Sequence, residues 1–551
     1  MSVQNAFFNP TNEQRHAFLK EALINAGRTE DYENIIELLG PGPDILELAS
    51  ADSLKNYKIG IIGAGLAGLS AAYELRKLGA SITVYDAEDK RIGGRIYTHY
   101  FNKSTEYFSE LGATRIPISH ETSWHYINLF NLDTSSMISP DSNNFLYTNN
   151  IRMRRSFSGK EIEEFLYPLY NLTEKERNTP WSELVSYADN TMLNNLTPVQ
   201  RSEILKILPL YSDQYAQLTK MSTNNVYESL GLSQGFVNLL CAVNPIAAVL
   251  LNLSYNETMS GIYSLDFFSI YRISEGMVKL PLAFISSLIN NNPPELRNQA
   301  LGKVIIKFGH AVDGIFFSSD NFINLQYTDP KGTKASESFD LVICTIPFSI
   351  LREFNINPYF NDTKMQAIRE LNYLDAQKTG IFFNKRFWEE NEPYGNINGG
   401  ISYTDLIIQS IIYPLYIRGE KPEDYSYNEP GTIIASYNIG ADATRLSNQN
   451  GYRRFEKIKQ DVEQVHGLPK GYLDLLTESY KTVHWNSEQW SRSAFSASYP
   501  GQKINFAYSM IQPEYNNRLY FAGEHISTKP RWIQGSLQTG KWVANQIAMN
   551  I

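Results

Sequence analysis

Cysteine is nearly absent from this chain, with Cys241 and Cys344 as the two among 551 residues. They stand far apart, which argues against a disulfide framework and against a cysteine-based metal site. Cys344 lies in an apolar strand pattern and is interpreted as a small core residue. The 8 histidines show no HxxxH or similar spacing. We therefore predict no metal site.

The chain also lacks an excess of positive charge, a signal peptide and a long apolar run. Its net charge is −9, which argues against a nucleic-acid partner. The N-terminus has no basic region followed by an apolar core. The longest apolar stretch, around 245–251, is far too short to span a bilayer. These features predict no membrane span and a cytoplasmic location.

The stretch 58–95 predicts a dinucleotide-binding unit. An apolar run at 58–62 reads as a buried strand, a helical pattern covers 66–78, and a second strand at 81–85 ends at Asp86. The loop between the first strand and the helix consists of Gly63, Ala64, Gly65, Leu66, Ala67 and Gly68. Its glycines permit a tight turn, close backbone approach to a pyrophosphate and close helix–strand packing. Asp86 is placed to accept hydrogen bonds from a ribose.

This unit alone leaves two questions open. A glycine-rich turn without a ligand is the plain alternative, although the surrounding strand, helix, second strand and acid favour a dinucleotide. Whether that dinucleotide is NAD(P) or FAD is not decided by 58–86.

The rest of the chain divides into helical and strand-rich regions. Residues 1–50 read as polar helices, and 155–271 as a helical insertion. Strand patterns cover 303–345 and a second region from about 377 to 437. A strand at 518–521, an Ala-Gly-Glu turn and a helix from about 533 to 549 close the chain.

Two further elements make the chain resemble a known family. Gly93-Gly94-Arg95 follows the second strand, and Tyr520-Phe521-Ala522-Gly523-Glu524 precedes the closing helix. With them the chain is similar to the flavin amine oxidase superfamily, over nearly its whole length from about residue 31. Within that superfamily it most resembles the branch of L-amino acid oxidases and amino acid 2-monooxygenases. Gly112-Ala113-Thr114-Arg115-Ile116-Pro117 carries the narrower match, with Thr114 where the family usually has Met.

The resemblance implies an α/β fold, α+β overall, in which a Rossmann-like FAD-binding domain of the GR2 type accompanies a strand-rich substrate domain and a helical insertion. The implied segments are an N-terminal helical segment packing on the substrate domain (1–50), the FAD-binding domain (51–117, 276–347 and 481–551), the substrate domain (118–154 and 348–480) and the helical domain (155–275).

The resemblance also implies a non-covalent FAD, since no cysteine stands near Trp532. Its expected contacts are the loop from Gly63 to Gly68, Asp86, Ala87, Gly93, Gly94, Arg95, Gly112, Ala113, Thr114, Arg115, Val312, Trp485, Gly523, Glu524, Trp532 and Ile533.

The resemblance assigns four residues to the substrate and the reaction. Arg115 would bind the substrate carboxylate by two parallel hydrogen bonds, the alternative being a structural pair with Glu110. Tyr413 would share that carboxylate, or would be an ordinary half-buried strand tyrosine. Lys378, ten residues before Trp388, would hold a water near the flavin, the alternative being a lysine that faces solvent. Trp532 would form a wall of the substrate site.

Arg531 departs from the family, which often has glycine there and uses its carbonyl to orient the substrate amine. We count Arg531 among the substrate-binding residues, although the course of its side chain is open.

The function implied is oxidation of L-amino acids by O2 to 2-oxo acids, with release of ammonia and hydrogen peroxide. The first alternative is an amino acid 2-monooxygenase that forms an amide and carbon dioxide. A polyamine or monoamine oxidase is less consistent with Arg115, and a flavoprotein scaffold without turnover is a fourth possibility. We expect a homodimer or a higher homo-oligomer.

Overall fold

The computed structural model describes residues 8–103, 105–137, 143–156, 158–391, 393–415 and 426–551. The first elements lead through a βαβ unit into short strands. They are α1 (Asn12–Asn25), α2 (Tyr32–Leu39), α3 (Ile45–Leu48), β1 (Lys58–Ile62), α4 (Leu66–Arg76), β2 (Ser81–Asp86), β3 (Thr98–Tyr100), β4 (Phe108–Glu110), β5 (Ile116–Pro117), α5 (Glu121–Leu129), β6 (Thr134–Ser136), β7 (Phe145–Thr148) and β8 (Ile151–Arg154).

A run of helices follows. It comprises α6 (Lys160–Phe165), α7 (Glu174–Arg177), α8 (Trp181–Asn194), α9 (Pro198–Ser202), α10 (Asp213–Thr219), α11 (Thr223–Ser229), α12 (Gln234–Val243), α13 (Pro245–Leu250) and α14 (Tyr255–Tyr263). Several of these helices begin at a Ser, Thr or Asn whose side chain accepts a hydrogen bond from the first turn, as at Thr173, Thr197, Ser222 and Ser233.

The remaining chain alternates strands and helices. Its elements are β9 (Ile270–Ile273), α15 (Lys279–Ile289), β10 (Val304–Phe308), β11 (Ala311–Phe317), β12 (Ile323–Thr328), β13 (Lys334–Phe339), β14 (Leu341–Cys344), α16 (Phe348–Leu351), β15 (Asn355–Asn357), α17 (Asp362–Glu370), β16 (Tyr373–Leu374), β17 (Ala376–Phe383), β18 (Gly400–Thr404), β19 (Ser410–Tyr413), β20 (Gly431–Ile439), α18 (Ala441–Ser447), α19 (Gly451–His466), β21 (Thr477–His484), β22 (Phe495–Ser496), α20 (Gln502–Ile511), β23 (Leu519–Phe521) and α21 (Ile533–Met549).

A parallel sheet in the order β10-β2-β1-β14-β23 forms the Rossmann-like part. Its central strands are apolar and buried on both faces, as in other parallel sheets covered by helices. The order brings the beginning and the end of the chain together, so that β1 and β23 both pair with β14. The predicted α/β fold with a Rossmann-like unit is confirmed.

Helix α4 is buried along its whole length, from Leu66 to Arg76. It packs against α15 and against the closing helix α21. Gly540 makes the second contact possible, because a Cβ there would lie 2.1 Å from the Ser70 hydroxyl and 2.2 Å from the Ala67 carbonyl. Close packing of α4 and α21 therefore depends on this glycine.

A second, mostly antiparallel sheet has the order β21-β17-β20-β19-β18-β7-β8. Strand β17 lies between β20 and β21, which pairs Lys378 with Tyr437 on one side and with Val483 on the other. Side chains alternate between the two faces of such a strand. One face of the sheet packs on α19 and the other turns toward the Rossmann-like part.

The N-terminal segment contacts three regions, and in the helical region Arg28 donates to the Ile262 and Tyr263 carbonyls while Asp31 pairs with Arg201. The Leu39 carbonyl accepts hydrogen bonds from Thr122 on α5 and from Gln534 on α21, and Asp44 pairs with Lys77 after α4. The segment thus rests on the helical region, on α5, within the predicted substrate part, and also on the helices of the Rossmann-like part. Residues 1–7, 138–142 and 416–425 of the predicted segments lie outside the described residues.

Within the described residues, no helix is both long enough and apolar enough to pass through a bilayer.

Candidate active site

The predicted glycine loop connects β1 to α4 and leaves an open space above it. Gly63 has φ +106°, and a Cβ there would lie 2.7 Å from the Thr345 hydroxyl. A Cβ at Gly65 would meet no heavy atom within 4 Å. Helix α4 begins after Gly65 without a side-chain cap, so the N–H groups of its first turn face this space. A helix N-terminus of this kind suits a pyrophosphate.

Asp86, at the end of β2, borders the same space. Its carboxylate accepts hydrogen bonds from the backbone N–H of Ala64 at 2.7 Å and of Glu88 at 2.9 Å. Burial raises the pKa of Asp86 above its ordinary value, against the effect of these two hydrogen bonds. The carboxylate is thus held in position at the point where a ribose is expected.

Gly93 and Gly94 approach the glycine loop from the other side. Both have positive φ angles, +93° and +62°, and a Cβ at Gly94 would lie 3.4 Å from the Gly65 Cα. Arg95, an expected cofactor contact, lines the cavity and pairs with Glu524 at 2.7 Å. Burial acts to raise the pKa of Glu524, but the Arg95 charge and neighbouring donors leave it below its usual value. Two residues predicted separately as cofactor contacts therefore hold each other.

The segment that carries Arg115 is held by backbone hydrogen bonds to Arg95 and Tyr97. The N–H of Gly112 donates to the Tyr97 carbonyl at 3.2 Å, and that of Ala113 donates to the Arg95 carbonyl at 3.2 Å. The Arg115 guanidinium then lies over the ring of Tyr437, 5.9 Å from its centroid. Among the described residues no carboxylate lies within 4 Å of it. Glu110, the alternative partner, accepts from Thr98 and from the Met277 N–H instead.

Lys378 is almost completely buried beside Arg115. Its ammonium donates to the carbonyls of Gly112 at 2.7 Å and Glu110 at 3.2 Å, and to the Thr114 hydroxyl at 3.1 Å. It also lies 4.6 Å from the centroid of the Tyr437 ring. Burial, and then the Arg115 charge, lower the pKa of Lys378 to about 7. The alternative at this position was a lysine that faces solvent, and the burial of Lys378 contradicts it.

Trp532 caps α21 and faces two aromatic side chains. Its ring meets His120 edge-on at 5.0 Å and Phe267 at 5.7 Å. His120 lies 3.1 Å from Asp266, which in turn pairs with the Lys529 ammonium at 2.6 Å. Burial acts to raise the pKa of Asp266. The contacts with Lys529 and His120 outweigh burial and lower this pKa to about 2. The buried polar cluster of His120, Asp266 and Lys529 thus supports the Trp532 ring through the His120 contact.

Arg531 lines the cavity, but its side chain is held by Glu257. Its guanidinium donates to the Glu257 carboxylate at 2.6 Å and to the Glu257 carbonyl at 3.0 Å. Its backbone is left-handed, with φ +74°, which costs a residue other than glycine about 1–2 kcal/mol. The N–H of Arg531 donates to Glu524 at 2.8 Å. These contacts offset the strain at a position where the family often has glycine.

The structure does not bring Tyr413 to Arg115. Its hydroxyl lies 2.8 Å from His466 Nε2 and 3.1 Å from the Ser402 hydroxyl, inside the core on the α19 face of the sheet. Its neighbour Ile412 faces the cavity instead, because consecutive side chains of a strand point to opposite faces. The assignment of Tyr413 to the substrate carboxylate is therefore wrong, because its side chain lies on the face of β19 that points away from the cavity. Tyr437 on β20 is the tyrosine beside Arg115.

One continuous cavity of about 1840 Å³ connects these elements. It exceeds the 300–1,000 Å³ or so of a site for one drug-sized ligand, so a dinucleotide and a second small molecule can share it. Arg531, Lys378 and all but two of the predicted cofactor residues line it. Those residues are Gly63, Gly65, Leu66, Ala67, Asp86, Ala87, Gly93, Gly94, Arg95, Gly112, Ala113, Thr114, Arg115, Val312, Trp485, Gly523, Glu524, Trp532 and Ile533.

The two that do not line it, Ala64 and Gly68, hold the loop in place. The Ala64 N–H donates to Asp86, and a Cβ at Gly68 would lie 2.0 Å from the Gly63 carbonyl. The open space above Gly65, the helix N-terminus and the positioned Asp86 together fit a dinucleotide. Within the described part of the chain, no cluster of three or more His, Cys, Asp or Glu is arranged to bind a metal.

Sequence reasoning missed three contributors to this site. Tyr437 lies beneath both Arg115 and Lys378, Glu257 neutralises Arg531, and Asp266 joins His120 to Lys529. Inward alternation along β20 is a signal that could have identified Tyr437. The acids come from α14 and the turn after it, far from their partners in sequence, so no local pattern marks them.

Comparison with protein families places most of the chain in one of them. The model of the family described as "Flavin containing amine oxidoreductase" matches residues 66–548. YobN of Bacillus subtilis (strain 168), provisionally named an L-amino-acid oxidase, is 29% identical over 502 residues, covering 88% of this chain and 94% of that protein. The L-amino-acid oxidase of Vipera ammodytes ammodytes is 24% identical over 527 residues, covering 94% and 97%.

Solved structures share the fold. A putrescine oxidase bound to putrescine superimposes with a TM-score of 0.65 at 16% identity, covering 89% of this chain and 98% of that chain. Cyclohexylamine oxidase from Brevibacterium oxydans IH-35A superimposes with a TM-score of 0.62 at 15% identity, covering 90% and 99%. At this level of identity the likeness shows the fold alone.

Proposed function

Since this chain belongs to the flavin-containing amine oxidoreductase family, we propose that it oxidises L-amino acids with bound FAD and O2. The imino acid first formed is hydrolysed by one water, so the products are a 2-oxo acid, ammonia and hydrogen peroxide. The observation that carries the proposal is Arg115, whose guanidinium lines the cavity beside Lys378 without a carboxylate partner among the described residues. The relatives named as L-amino-acid oxidases support the same activity.

Arg115 serves to bind the substrate carboxylate. A guanidinium offers two parallel N–H donors that match a carboxylate, which fixes both its position and its orientation. The Tyr437 ring, with its centroid 5.9 Å from the Arg115 guanidinium, adds a cation–π contact to this site. Putrescine and cyclohexylamine, the amines named for the neighbours in fold, carry no carboxylate and would leave this cation unpaired.

Trp532 and Arg531 position the Cα and the amino group of the substrate. The indole of Trp532 forms a wall that the His120 and Phe267 rings hold in place. The backbone carbonyl of Arg531 can accept a hydrogen bond from the substrate amine, while the Arg531 side chain stays on Glu257. The carboxylate on Arg115 and the amine at Arg531 together orient the Cα hydrogen.

When bound, FAD would supply the acceptor for the hydride from Cα and the redox chemistry that reduces O2. Lys378 contributes the charge beside this reaction centre. With a pKa of about 7, set by burial and the Arg115 charge, it is near half-protonated at neutral pH and can hold or relay a proton. Its cationic form favours electron transfer to oxygen by stabilising the negative charge that develops there.

We further propose that FAD is bound without a covalent link to cysteine. Cys344 is buried in β14 and Cys241 lies on α12, and neither is among the cavity-lining residues of the described chain. Acid precipitation of the holoenzyme should release all the flavin into the supernatant. Flavin that stays with the precipitate would contradict this proposal.

Product analysis tests the proposed function. The holoenzyme is incubated with a panel of L-amino acids under air, and 2-oxo acid, ammonia, hydrogen peroxide, amide and carbon dioxide are quantified. We expect 2-oxo acid, ammonia and peroxide in equal amounts. An amide with carbon dioxide would identify an amino acid 2-monooxygenase, which the same carboxylate site would serve. An enzyme that oxidises only amines without a carboxylate would refute both.

A further inference from the structure

Three acids from the helical region line the cavity, and their partners differ. Glu257 on α14 pairs with Arg531 at 2.6 Å, and Asp266 pairs with Lys529 at 2.6 Å. Asp189 on α8 has no Lys, Arg or His within 4 Å among the described residues. Within the described part of the chain its carboxylate accepts one side-chain hydrogen bond, from the Tyr227 hydroxyl at 3.5 Å. Of the three described acids on this helical wall, Asp189 is therefore the one without a counter-charge.

The position of Asp189 makes this lack of a partner significant. Its side chain is enclosed by protein, yet it keeps some accessible surface because it faces the cavity. Burial raises the pKa of Asp189 to about 6, and the Tyr227 hydrogen bond opposes this only in part. An ionised carboxylate enclosed without a counter-ion is costly, and a cationic ligand would offset that cost.

A continuous wall joins Asp189 to the substrate end of the cavity. Tyr227 on α11 contacts Asp189, and Thr223 on the same helix lies 2.9 Å from the Thr258 hydroxyl on α14. Glu257, next to Thr258, holds Arg531, and Trp532 follows directly. Apolar side chains complete this part of the wall, namely Val185, Leu240, Ala247 and Leu250.

The charges along this wall favour one class of side chain. Arg531 is neutralised by Glu257, so it offers no free cation to an acidic substrate. The apolar side chains suit a methylene stem, and Asp189 suits a positive group at its end. Arg115, which lines the same cavity, suits a carboxylate. The cavity is thus matched to a molecule that is anionic at one end and cationic at the other.

We propose that Asp189 is a specificity residue that binds the distal cationic group of a basic L-amino acid, such as the ammonium of lysine or ornithine. This inference rests on the proposed L-amino acid oxidation, because Arg115 must hold the carboxylate while Asp189 meets the other end. It goes further by naming the substrate class.

The test compares L-lysine with L-norleucine, which has the same carbon chain without the terminal ammonium. For the wild-type holoenzyme we expect kcat/KM to favour lysine. Asp189→Asn should lower kcat/KM for lysine by about 100-fold, the loss expected when one partner of an enclosed charge pair is removed, and change that for norleucine less than about threefold. Glu183→Gln, an exposed acid on the same helix, is the matched control and should change neither.

The outcomes separate this inference from the proposed function. Equal kcat/KM for lysine and norleucine in the wild type, or an equal loss for both in Asp189→Asn, would overturn the role of Asp189 while leaving amino acid oxidation intact. Turnover of neither these nor any other L-amino acid would refute the proposed function itself. If Asp189→Asn fails to fold, Asp189→Glu, which keeps the charge, decides the case: the inference requires it to retain the preference for lysine.

Discussion

The carboxylate site predicts how the enzyme responds to loss of Arg115. The guanidinium is half-buried, so we take the lower part of the roughly 2–5 kcal/mol that truncating one partner of a buried charge pair costs. About 2–3 kcal/mol corresponds to a loss of about 30- to 150-fold in kcat/KM for Arg115→Ala. Because the carboxylate is held before and during the reaction, most of the loss should appear in KM.

A second consequence concerns Lys378. The Arg115 charge is one of the two causes that lower the pKa of Lys378 to about 7. Without that charge, the pKa of Lys378 should rise, and the pH at which the reaction changes with lysine protonation should rise with it. Arg115→Lys keeps a positive charge but loses the planar fork, so it should recover part of the affinity and leave the pH profile nearer to that of the wild type.

Steady-state kinetics from pH 6 to 9, with an L-amino acid that the wild type oxidises, measure both effects. Arg369→Ala, which removes an exposed arginine on α17, is the control and should match the wild type. An unchanged KM in Arg115→Ala would show that the carboxylate binds elsewhere. A raised KM with an unshifted pH profile would support the binding of the carboxylate by Arg115 but would refute the electrostatic coupling between Arg115 and Lys378.

Three other substitutions probe separate parts of the site. Lys378→Met should slow reoxidation of the flavin by O2 more than its reduction by substrate in stopped-flow experiments. In the wild type the reoxidation rate should fall as pH rises through about 7, where the Lys378 cation is lost, and the variant should lack this fall. Equal reoxidation rates in the variant and the wild type would refute this role. Asp266→Asn should leave Lys529 buried without a counter-charge and lower the free energy of unfolding by about 3–5 kcal/mol in chemical denaturation. The double variant Asp266→Asn/Lys529→Met should recover much of this loss. An unaltered unfolding midpoint in Asp266→Asn would show that the pair contributes nothing to stability. Gly65→Val should fold, because its Cβ meets no protein atom within 4 Å, but should be purified without flavin; a full flavin content would place the pyrophosphate elsewhere.

The Asp266–Lys529 pair also sets a pH window for stability. The folded-state pKa of Asp266 is lowered to about 2, mainly by Lys529 and His120 acting against burial. For a carboxyl with a depressed pKa, the stabilisation is complete above the unfolded-state pKa, about 3.9, and is lost as pH falls through the folded value. Acid unfolding of the wild type should therefore be partly due to this residue, and Asp266→Asn should be less sensitive to pH between about 4 and 2.

Local patterns were sufficient to predict the Rossmann-like unit. The strand at Lys58–Ile62 and the closing helix at Ile533–Met549 have the predicted bounds. Both carry strong signals, an apolar run in one and helical periodicity over four turns or more in the other. A glycine inside a helix often marks a close approach, and Gly540 in the closing helix allows the contact with α4.

The substrate side could be predicted only in part, because it depends on strand register and on distant pairs. Tyr413 and Ile412 differ by one position, and a shift of one residue exchanges the two faces of a strand. The partner of Arg531 is Glu257, 274 residues earlier in the chain. That partner lies on α14, inside the region predicted only as a helical insertion, and α14 also supplies part of the cavity wall.

The most direct test of the account is anaerobic reduction of the flavin by matched pairs of substrates. Each pair consists of an L-amino acid and the primary amine that lacks its carboxylate, for instance L-lysine with cadaverine and L-norleucine with pentylamine, and the flavin absorbance is followed by stopped flow. If Arg115 selects the carboxylate, the amino acids bleach the flavin and the amines do so far more slowly or only at much higher concentration. Equal bleaching by both members, or bleaching by the amines alone, would contradict amino acid oxidation.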